Sequence, residues 1–266
     1  MRIICLNGWG GKLHEPLIDY LRHAAPDILC LQEVVHTPSA GKDWLTYRDG
    51  AHVLPQRARF FDEVCAALPD HAATFCPAAQ GVLWDGERAV PSQWGLATFV
   101  RRDLPVIGQV QGFVHKGFEP DGYGDHPRSR SAHGVRVWDF EHARAVSVTH
   151  MHGLRDLRGK MDTTERAAQA KRLLALSDQL REPGDAVVIC GDFNVEAESE
   201  TLRILEDAGM RELVIGGGHA GTRSSFYEKP GKFADYMLVD RDSAEIDFQV
   251  LREPEVSDHC PLVLEL

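Results

Sequence analysis

The sequence predicts an α/β or α+β sandwich, in which helices cover stacked β-sheets. Two observations carry this prediction. Short apolar runs rich in Val, Ile and Leu recur along the chain and outnumber the helical patterns. The helical patterns are spread between these runs, which favours packed layers of both kinds. A length of 266 residues is that of one large domain or two small ones.

Most of the apolar runs have the length of strands that are covered on both faces. The expected strands are Ile3–Leu6, Ile28–Leu31, Leu96–Val100, Val146–Val148, Val187–Cys190, Tyr236–Val239 and Leu262–Leu266.

Two helices are expected in the first part of the chain. Pro16 fits the first turn of one helix, and a weaker pattern covers Phe60–Leu68. Two stretches, His36–Arg59 and Gly112–Ser131, are expected to be long loops. Loops of such length are often functional, and surface decoration is the alternative.

Two further helices are expected later in the chain. Asp162 and Glu165 have capping-box spacing at the start of a long helix that ends before Pro183. Ser199 can cap the next helix, and Gly209 is its stop signal.

The composition excludes several classes of protein. Lys and Arg number 29 against 40 Asp and Glu, and the resulting charge of −11 argues against a protein that coats nucleic acid or anionic membranes. No run approaches the roughly 18 apolar residues of a membrane span, and the N-terminus lacks a signal-peptide pattern. Six scattered cysteines without a CxxC motif are typical of buried thiols in a reducing compartment. We therefore expect a cytoplasmic protein.

Four segments share one pattern, in which an apolar strand ends and polar residues suited to metal or proton chemistry follow at once. They are Cys5-Leu6-Asn7-Gly8-Trp9, Leu29-Cys30-Leu31-Gln32-Glu33-Val34, Val188-Ile189-Cys190-Gly191-Asp192-Phe193-Asn194 and Val256-Ser257-Asp258-His259-Cys260-Pro261-Leu262. A carboxylate at the end of a buried strand is costly unless something compensates it. A satisfied cap or turn explains one such segment, whereas four together predict side chains that converge on one rim. The oxygens of Asn7, Glu33 and Asp258 suit Mg²⁺ or Mn²⁺ better than Zn²⁺.

Two pairs of neighbours in these segments are suited to acid–base chemistry. Asp192 and Asn194 would face one pocket in an extended segment. There, one can orient or deprotonate a water and the other can donate to an anionic oxygen. Asp258 and His259 place a metal ligand beside a proton carrier, and Asp235 is a candidate to hold His259 in one tautomer.

In this order, the segments resemble the endonuclease/exonuclease/phosphatase superfamily, which includes deoxyribonucleases, apurinic endonucleases, neutral sphingomyelinases and deadenylases. The matching segments are Leu6-Asn7, Leu31-Gln32-Glu33-Val34, Gly95-Leu96-Ala97, Thr149-His150-Met151, Gly191-Asp192-Phe193-Asn194, Asp235-Tyr236 and Ser257-Asp258-His259. The resemblance spans residues 7 to 259. It implies a single domain over residues 1–266, built as a four-layer α-β-β-α sandwich of two mostly antiparallel sheets flanked by helices.

The resemblance also implies that the chain hydrolyses a phosphoester by metal-assisted, in-line attack of water. Carried over by position, Asn7 and Glu33 bind the Mg²⁺ or Mn²⁺ ion, and Asp258 helps to hold it.

Five catalytic residues are implied in the same way. Asp192 positions or deprotonates the water, Asn194 fixes the attacked phosphate, and His150 donates a hydrogen bond to it. His259 contacts the phosphoryl oxygens or transfers the proton, and Asp235 orients it. Whether Asp192 or His259 is the general base stays open.

Four further residues are expected to contact the substrate. His152 forms an HxH pair with His150, for which a Zn²⁺ pair or two solvated histidines are the alternatives. Arg166 and Gln169 share a face of the long helix, where the family often carries an Arg and a Gln; a solvated face is the alternative. Arg130 is a candidate to grip a substrate phosphate, and a solvated side chain is again the alternative.

The leading hypothesis is a divalent-metal-dependent phosphodiesterase or nuclease-like hydrolase, which acts on nucleic acid or on a small phosphoester. The alternatives are a phosphomonoesterase for a phosphorylated sugar, inositol or lipid, and a non-catalytic binding protein on the same fold. A nuclease needs basic and aromatic side chains along a groove, which the regions of Arg57, Trp94 and Arg101 can supply. The oligomeric state stays open.

Overall fold

The structure is a computed structural model that describes residues 1–243 and 246–266, and this part of the chain forms two β-sheets and four α-helices. The strands are β1 Arg2–Asn7, β2 Ile28–His36, β3 Trp44–Asp49, β4 His52–Arg57, β5 His71–Asp85, β6 Arg88–Arg101, β7 Val106–His115, β8 Arg130–Asp139, β9 Arg144–His152, β10 Ala186–Asp192, β11 Met210–Glu212, β12 Asp235–Asp240, β13 Asp247–Val250 and β14 Leu262–Glu265. The helices are α1 His14–Ala24, α2 Phe60–Ala67, α3 Thr164–Leu180 and α4 Glu200–Asp207.

Both sheets mix parallel and antiparallel strands. The first sheet has eight strands in the order β13-β14-β1-β2-β6-β5-β3-β4, and the second has six in the order β11-β12-β10-β9-β8-β7. The pairs β1–β2 and β9–β10 are parallel. The other pairings between described strands are antiparallel.

The two sheets pack face to face, and the helices cover their outer faces. Along β1, Ile3 and Cys5 face the second sheet, whereas Ile4 and Leu6 face α1 and α2. Leu173 of α3 belongs to the core of the second sheet, and α4 packs against α3. The layers therefore run helices, sheet, sheet, helices, which confirms the predicted four-layer sandwich.

The predicted elements with continuous apolar runs are confirmed. Each expected strand segment lies in a strand, although Leu266 falls beyond the end of β14. The helices expected at Pro16, at Phe60–Leu68 and after Ser199 are present. The Ser199 side chain accepts a hydrogen bond from the backbone N–H of Leu202 at 3.4 Å, as a cap should.

The predicted capping box of α3 is wrong by one residue. The side chain of Thr163, not that of Asp162, accepts from the backbone N–H of Arg166 at 3.3 Å. Asp162 Oδ1 instead accepts from the backbone N–H of Glu200 at 2.9 Å. Asp162 thus links the starts of α3 and α4.

The first predicted loop is largely strand, whereas residues 116–129 of the second form the connection between β7 and β8, as expected. β3 and β4 form a hairpin inside His36–Arg59, and β7 and β8 extend into Gly112–Ser131. The hairpin strands are mostly half-buried or exposed and carry many polar residues. A search for continuous apolar runs therefore misses them, because that pattern belongs to strands covered on both faces.

Two expectations from composition are met in the described residues. None of the helices described there is both long and apolar enough to cross a bilayer. Cys5, Cys30 and Cys190 are buried and form no disulfide with any other described cysteine.

Candidate active site

The polar residues that end several strands meet at one edge of the sandwich. The ends of the parallel strands β1 and β2 bring Asn7 and Glu33 to this edge. The ends of β9 and β10 bring His152 and Asp192 there. Asp192 pairs across the sheet with Asp235, the first residue of the antiparallel strand β12. The turn before β14 reaches the same edge because β14 is antiparallel to β1.

The backbone at this edge adopts conformations that are unusual for its residues. Glu33 has a φ of +54° within an irregular stretch of the β2–β6 pairing. Asn194 has a φ of +55°, so the segment after Asp192 turns instead of extending as predicted. Asp192 and Asn194 nevertheless line the same cleft. Gly191 has a φ of +143°, and a Cβ atom there would lie 2.1 Å from the carbonyl oxygen of Met151. Such strained residues concentrate at functional sites.

Asp192 lies at the centre of the site and is 1 % exposed. Its Oδ2 accepts a hydrogen bond from Asn7 Nδ2 at 3.0 Å, and its Oδ1 accepts from the backbone N–H of Asn194 at 2.9 Å. The Nε2 atoms of His152 and His259 lie 3.7 and 3.8 Å from Oδ2. One carboxylate is therefore held by donors from both sheets, with two imidazole rings beside it.

His259 is oriented by a carboxylate behind it. Its Nδ1 donates to both oxygens of Asp235 at 2.8 Å, and the Thr222 hydroxyl donates to Asp235 at 2.8 Å. Burial, and then the charge of Arg223, lowers the pKa of His259 to about 4. Burial raises the pKa of Asp235 to about 6. Near neutral pH the ring is therefore neutral, with its Nδ1–H held by an ionised Asp235.

Arg223 connects the two acidic parts of the site. Its Nη1 donates to Asp258 Oδ2 at 3.0 Å and to Nε2 of His259. Asp258 Oδ1 lies 3.7 Å from the same ring nitrogen of His259. The guanidinium group thus occupies the space between a predicted metal ligand and a predicted catalytic residue.

Carboxylates outnumber buried cations in the site. The four carboxylates are Glu33, Asp192, Asp235 and Asp258, and the three buried guanidinium groups are Arg130, Arg166 and Arg223. Burial, and then the charge of Asp192, raises the pKa of Glu33, and burial raises the pKa of Asp258. Hard oxygen ligands with an excess of negative charge fit a divalent cation such as Mg²⁺ or Mn²⁺.

The tightest group of metal-binding side chains differs from the predicted set. Ligand atoms of Asp192, Asp235 and His259 all lie within 4.8 Å of one another, whereas the prediction named Asn7, Glu33 and Asp258. Both Asp235 oxygens already accept hydrogen bonds from His259.

The two histidines of the HxH pair have different surroundings. His152 ends β9 in the cleft, with its Nε2 3.9 Å from Glu33 Oε1, and its ring packs 5.2 Å from that of Trp94. His150 lies one step deeper, between the sheets. Its Nδ1 is 3.2 Å from Gln32 Nε2 and its Nε2 is 2.8 Å from Thr98 Oγ1. Both ring nitrogens of His150 are thus occupied by protein groups beneath the cleft, and the structure does not present them to a phosphate.

Arg166 and Gln169 share a face of α3 as predicted, but that face is buried. Gln169 Oε1 accepts from the backbone N–H of Leu154 at 2.8 Å. The Arg166 guanidinium donates to several backbone carbonyls, among them those of Gly159 at 3.0 Å and Asn194 at 3.4 Å. Arg166 also lines the cleft. These contacts hold the segment after β9 and the turn at Asn194 in place.

Arg130 lies beside the acidic group, at the start of β8. Its Nε donates to the carbonyl of Gly153 at 2.8 Å, and its guanidinium packs 4.8 Å from the ring centroid of Trp94. Asn194 Nδ2 donates to the same carbonyl at 3.2 Å. Arg130 and Asn194, which were predicted separately to contact the phosphate, therefore share the carbonyl of Gly153 as a hydrogen-bond acceptor.

The model of the endonuclease/exonuclease/phosphatase family matches residues 6–259, from the end of β1 to His259. The chain belongs to this family. No curated protein matches the chain in sequence.

Solved structures of low sequence identity share the family's fold. An endonuclease/exonuclease/phosphatase from Bacteroides vulgatus matches with a TM-score of 0.63 and 15% identity, over 100% of this chain and 98% of that one. A mannosyl-6-phosphatase of Bacteroides thetaiotaomicron matches with a TM-score of 0.67 and 12% identity, over 100% and 98%. The human Nocturnin catalytic domain matches with a TM-score of 0.64 and 16% identity, over 99% and 92%.

Sequence reasoning missed several residues of this family member's site. Arg223 is the most prominent of them. It lies in a connection without an apolar pattern, twelve residues before Asp235. Ser257 was quoted only as part of a motif, yet its hydroxyl donates to the carbonyl of Asn7 at 2.7 Å and joins the two ends of the chain. A single sequence carries no local signal for such contacts, because each is made with a residue far away along the chain.

Proposed function

We propose that this chain is a divalent-metal-dependent hydrolase of phosphoesters, with phosphodiesters as its preferred class. The observation that carries the proposal is the environment of Asp192. A buried carboxylate is held by Asn7 and by the turn at Asn194, and it faces the rings of His152 and His259. This arrangement can orient a water molecule for attack and receive its proton.

Glu33 and Asp258, assisted by Asn7, would hold the divalent ion. This set is preferred over the Asp235-containing group because Asp235 is committed to His259. When bound, the ion supplies Lewis-acid stabilisation of the charge that develops on the phosphoryl oxygens.

The side chains around Asp192 have separate roles in the reaction. A water beside Asp192 can donate a hydrogen bond to its Oδ2 and give its proton to that carboxylate, whereas Nε2 of His259, 3.8 Å from the same oxygen, accepts from Arg223. Asp235 keeps His259 in the required tautomer. Asn194 has a second amide hydrogen, beyond the one given to Gly153, that can bind a phosphate oxygen.

Other predicted residues take supporting roles in this proposal. Arg130 and His152 bind the phosphate. His150 supports His152 from beneath, and Arg166 and Gln169 position the segment that ends at Asn194.

Two recesses on either side of Glu33 favour a diester. One is the open cleft over Asp192, bordered by Arg155, Lys160 and Lys229. The other is a side pocket beside Trp94. Two recesses give room for two substituents on one phosphate. Arg57 and Arg101, the basic residues of the nuclease hypothesis, line neither recess and pair with Glu63 and Asp27 instead.

Hydrolysis of three substrates tests the proposal. Bis(p-nitrophenyl) phosphate, p-nitrophenyl phosphate and plasmid DNA are each incubated with the full chain in Mg²⁺, in Mn²⁺ and in EDTA. We expect the diester to be hydrolysed fastest, and only with metal. Cleavage of the monoester alone would identify a phosphomonoesterase, and no turnover of any substrate would favour a non-catalytic binding protein.

Two further proposals concern context. The match over residues 6–259 supports a single domain over residues 1–266. The six free cysteines support a reducing, cytoplasmic location.

A further inference from the structure

The side pocket opens from the catalytic cleft beside Glu33. It shares four lining residues with the cleft: Glu33, His52, Leu54 and Arg155. Most of its other lining residues come from the two segments that the sequence singled out as long loops. The β3–β4 hairpin contributes Tyr47 and Gln56, and the connection between β7 and β8 contributes Tyr123 and Arg128.

The pocket is held in shape by bonds between these two segments. Asp49 of the hairpin accepts from Arg128 Nη2 at 3.0 Å and lies 3.2 Å from His126 Nε2. The Arg128 guanidinium also donates to the hydroxyl of Tyr47 and lies 5.9 Å from the ring centroid of Tyr123. The rings of Tyr47 and Tyr123 are themselves 5.9 Å apart.

The far wall depends on a glycine. A Cβ atom at Gly81 would lie 2.4 Å from the ring of Tyr123. Tyr123 is 9 % exposed and therefore packs closely against β5. Its ring is a fixed surface, which can bind a flat or ring-shaped group at little cost in conformational entropy.

The charged groups inside the pocket differ from those at its mouth. Inside, the charge of Arg128 is balanced by Asp49, and apolar side chains such as Leu83 and Val35 complete the wall. At the mouth, Arg130 is 3 % exposed and donates only to backbone carbonyls. Among the described residues its guanidinium forms no ion pair, although the charges of Glu33 and Asp192 act on it. The pocket thus offers a free buried cation at its mouth and a neutral, aromatic interior.

We propose that this side pocket binds an uncharged, ring-sized group that is esterified to the attacked phosphate. The proposal rests on the phosphoesterase function proposed above. The phosphate would lie between Arg130 and Glu33, and the ring would pack against Tyr123. Tyr123 and Leu83 line the recess and are not shared with the cleft, so the ring would be an end group. The substrate is then a small phosphoester or the terminus of a longer molecule.

Binding of three phosphonates that the enzyme cannot hydrolyse tests the proposal without turnover. Phenylphosphonate, cyclohexylphosphonate and methylphosphonate are titrated into the Mg²⁺-loaded full chain by calorimetry. We expect at least one ring compound to bind about tenfold more tightly than methylphosphonate. Preference for phenyl would indicate a planar ring such as a base, and equal binding of both rings would indicate a saturated ring such as a sugar. Equal binding of all three compounds would overturn the proposal.

Variants of Tyr123 assign the effect to the pocket. Tyr123→Ala should reduce the ring preference about tenfold, to near unity. Tyr123→Leu, which keeps most of the packing against Gly81, should reduce it severalfold if the alanine variant does not fold. Phe118→Ala, at an exposed position of the same connection, should leave the preference unchanged.

An unchanged preference in a folded Tyr123 variant would contradict the proposal. Ring-selective binding by a chain that hydrolyses no phosphoester would refute the proposed function and leave the pocket assignment intact.

Discussion

Two buried polar clusters lie one behind the other between the sheets, and they differ in charge. The catalytic cluster around Asp192 contains four carboxylates, and buried Nδ1 of His152 has no hydrogen-bond partner in the described residues. The interior cluster behind it joins His150, Thr98 and His133 through contacts of 2.6 and 2.8 Å, and all of these groups are neutral or polar. Burial alone therefore does not distinguish the active site. An excess of like charge and hydrogen-bond donors without partners distinguish it, because the polar groups of a structural cluster form hydrogen bonds with one another.

The largest difference between the two clusters should follow loss of the central carboxylate. Asp192→Asn should reduce kcat/KM for the diester on the order of 10³-fold or more, because the water loses its orienting and accepting group. Thermal unfolding should change little. Asp185→Asn is the matched control, since Asp185 directly precedes the other end of the same strand and pairs with Arg136 at 2.8 Å. It should lower stability and leave kcat/KM within a few-fold. Equal losses of activity in the two variants would remove Asp192 from the mechanism.

The second largest effect should be on the Mg²⁺ concentration that activity requires. Glu33→Gln should raise the Mg²⁺ concentration for half-maximal activity by on the order of 10- to 100-fold, because a charged ligand becomes neutral. Glu63→Gln, on α2 and paired with Arg57, is the control and should titrate like the unmodified chain. The measurement is initial rate against Mg²⁺ concentration, and an unshifted curve for Glu33→Gln would exclude it as a ligand.

The third effect compares the two histidines directly. His152→Ala should reduce kcat/KM about 10²-fold with a small change in stability. His150→Ala should lower the free energy of unfolding by about 2–4 kcal/mol, because it leaves a cavity and unpartnered groups between the sheets, and should cost activity less than about tenfold. Urea unfolding and steady-state kinetics measure both. The comparison fails if His150→Ala is as stable as the unmodified chain and inactive.

The smallest effect is a dependence of stability on pH. Burial lowers the pKa of His133 in the interior cluster to about 4 from a usual 6.5. Between these values the unfolded chain binds a proton that the folded chain does not, so stability falls as the pH is lowered from 6.5 to 4. The loss from this residue is at most about 3 kcal/mol. The loss of stability between pH 6.5 and 4 should be smaller in His133→Gln. It should be unchanged in His23→Gln, because the His23 side chain is 77% exposed. Parallel pH dependences for His133→Gln and the unmodified chain would show that His133 is not the source.

The sequence predicted those parts of the fold that depend on local pattern. Strands covered on both faces show as apolar runs, so β1, β2 and β10 were found. The β3–β4 hairpin was not, because its side chains are half exposed and polar. The capping residue of α3 was missed by one position, since Asp162 and Thr163 are both good caps and only the position of α4 decides between them.

The candidate site was predictable from polar motifs beside apolar runs. Asp192, Glu33 and His259 were named on that basis and lie together, although Glu33 lies within β2 and His259 precedes β14 instead of following a strand. His150 was expected to contact the phosphate. It lies two residues before His152 on β9, and this position places it beneath the cleft. Arg223 was missed because its contacts with Asp258 and His259 are made across more than 30 residues of chain. Such contacts depend on the tertiary fold, which a local motif does not contain.

The central claim is that residues from separate strand ends gather around one hard divalent cation. A crystal of the full chain soaked in Mn²⁺, with data collected at the manganese absorption edge, tests it most directly. We expect one anomalous peak within bonding distance of the Glu33 and Asp258 carboxylates. A peak bound by Asp235 and His259 instead, or no peak in the cleft of a soaked and active crystal, would contradict the account.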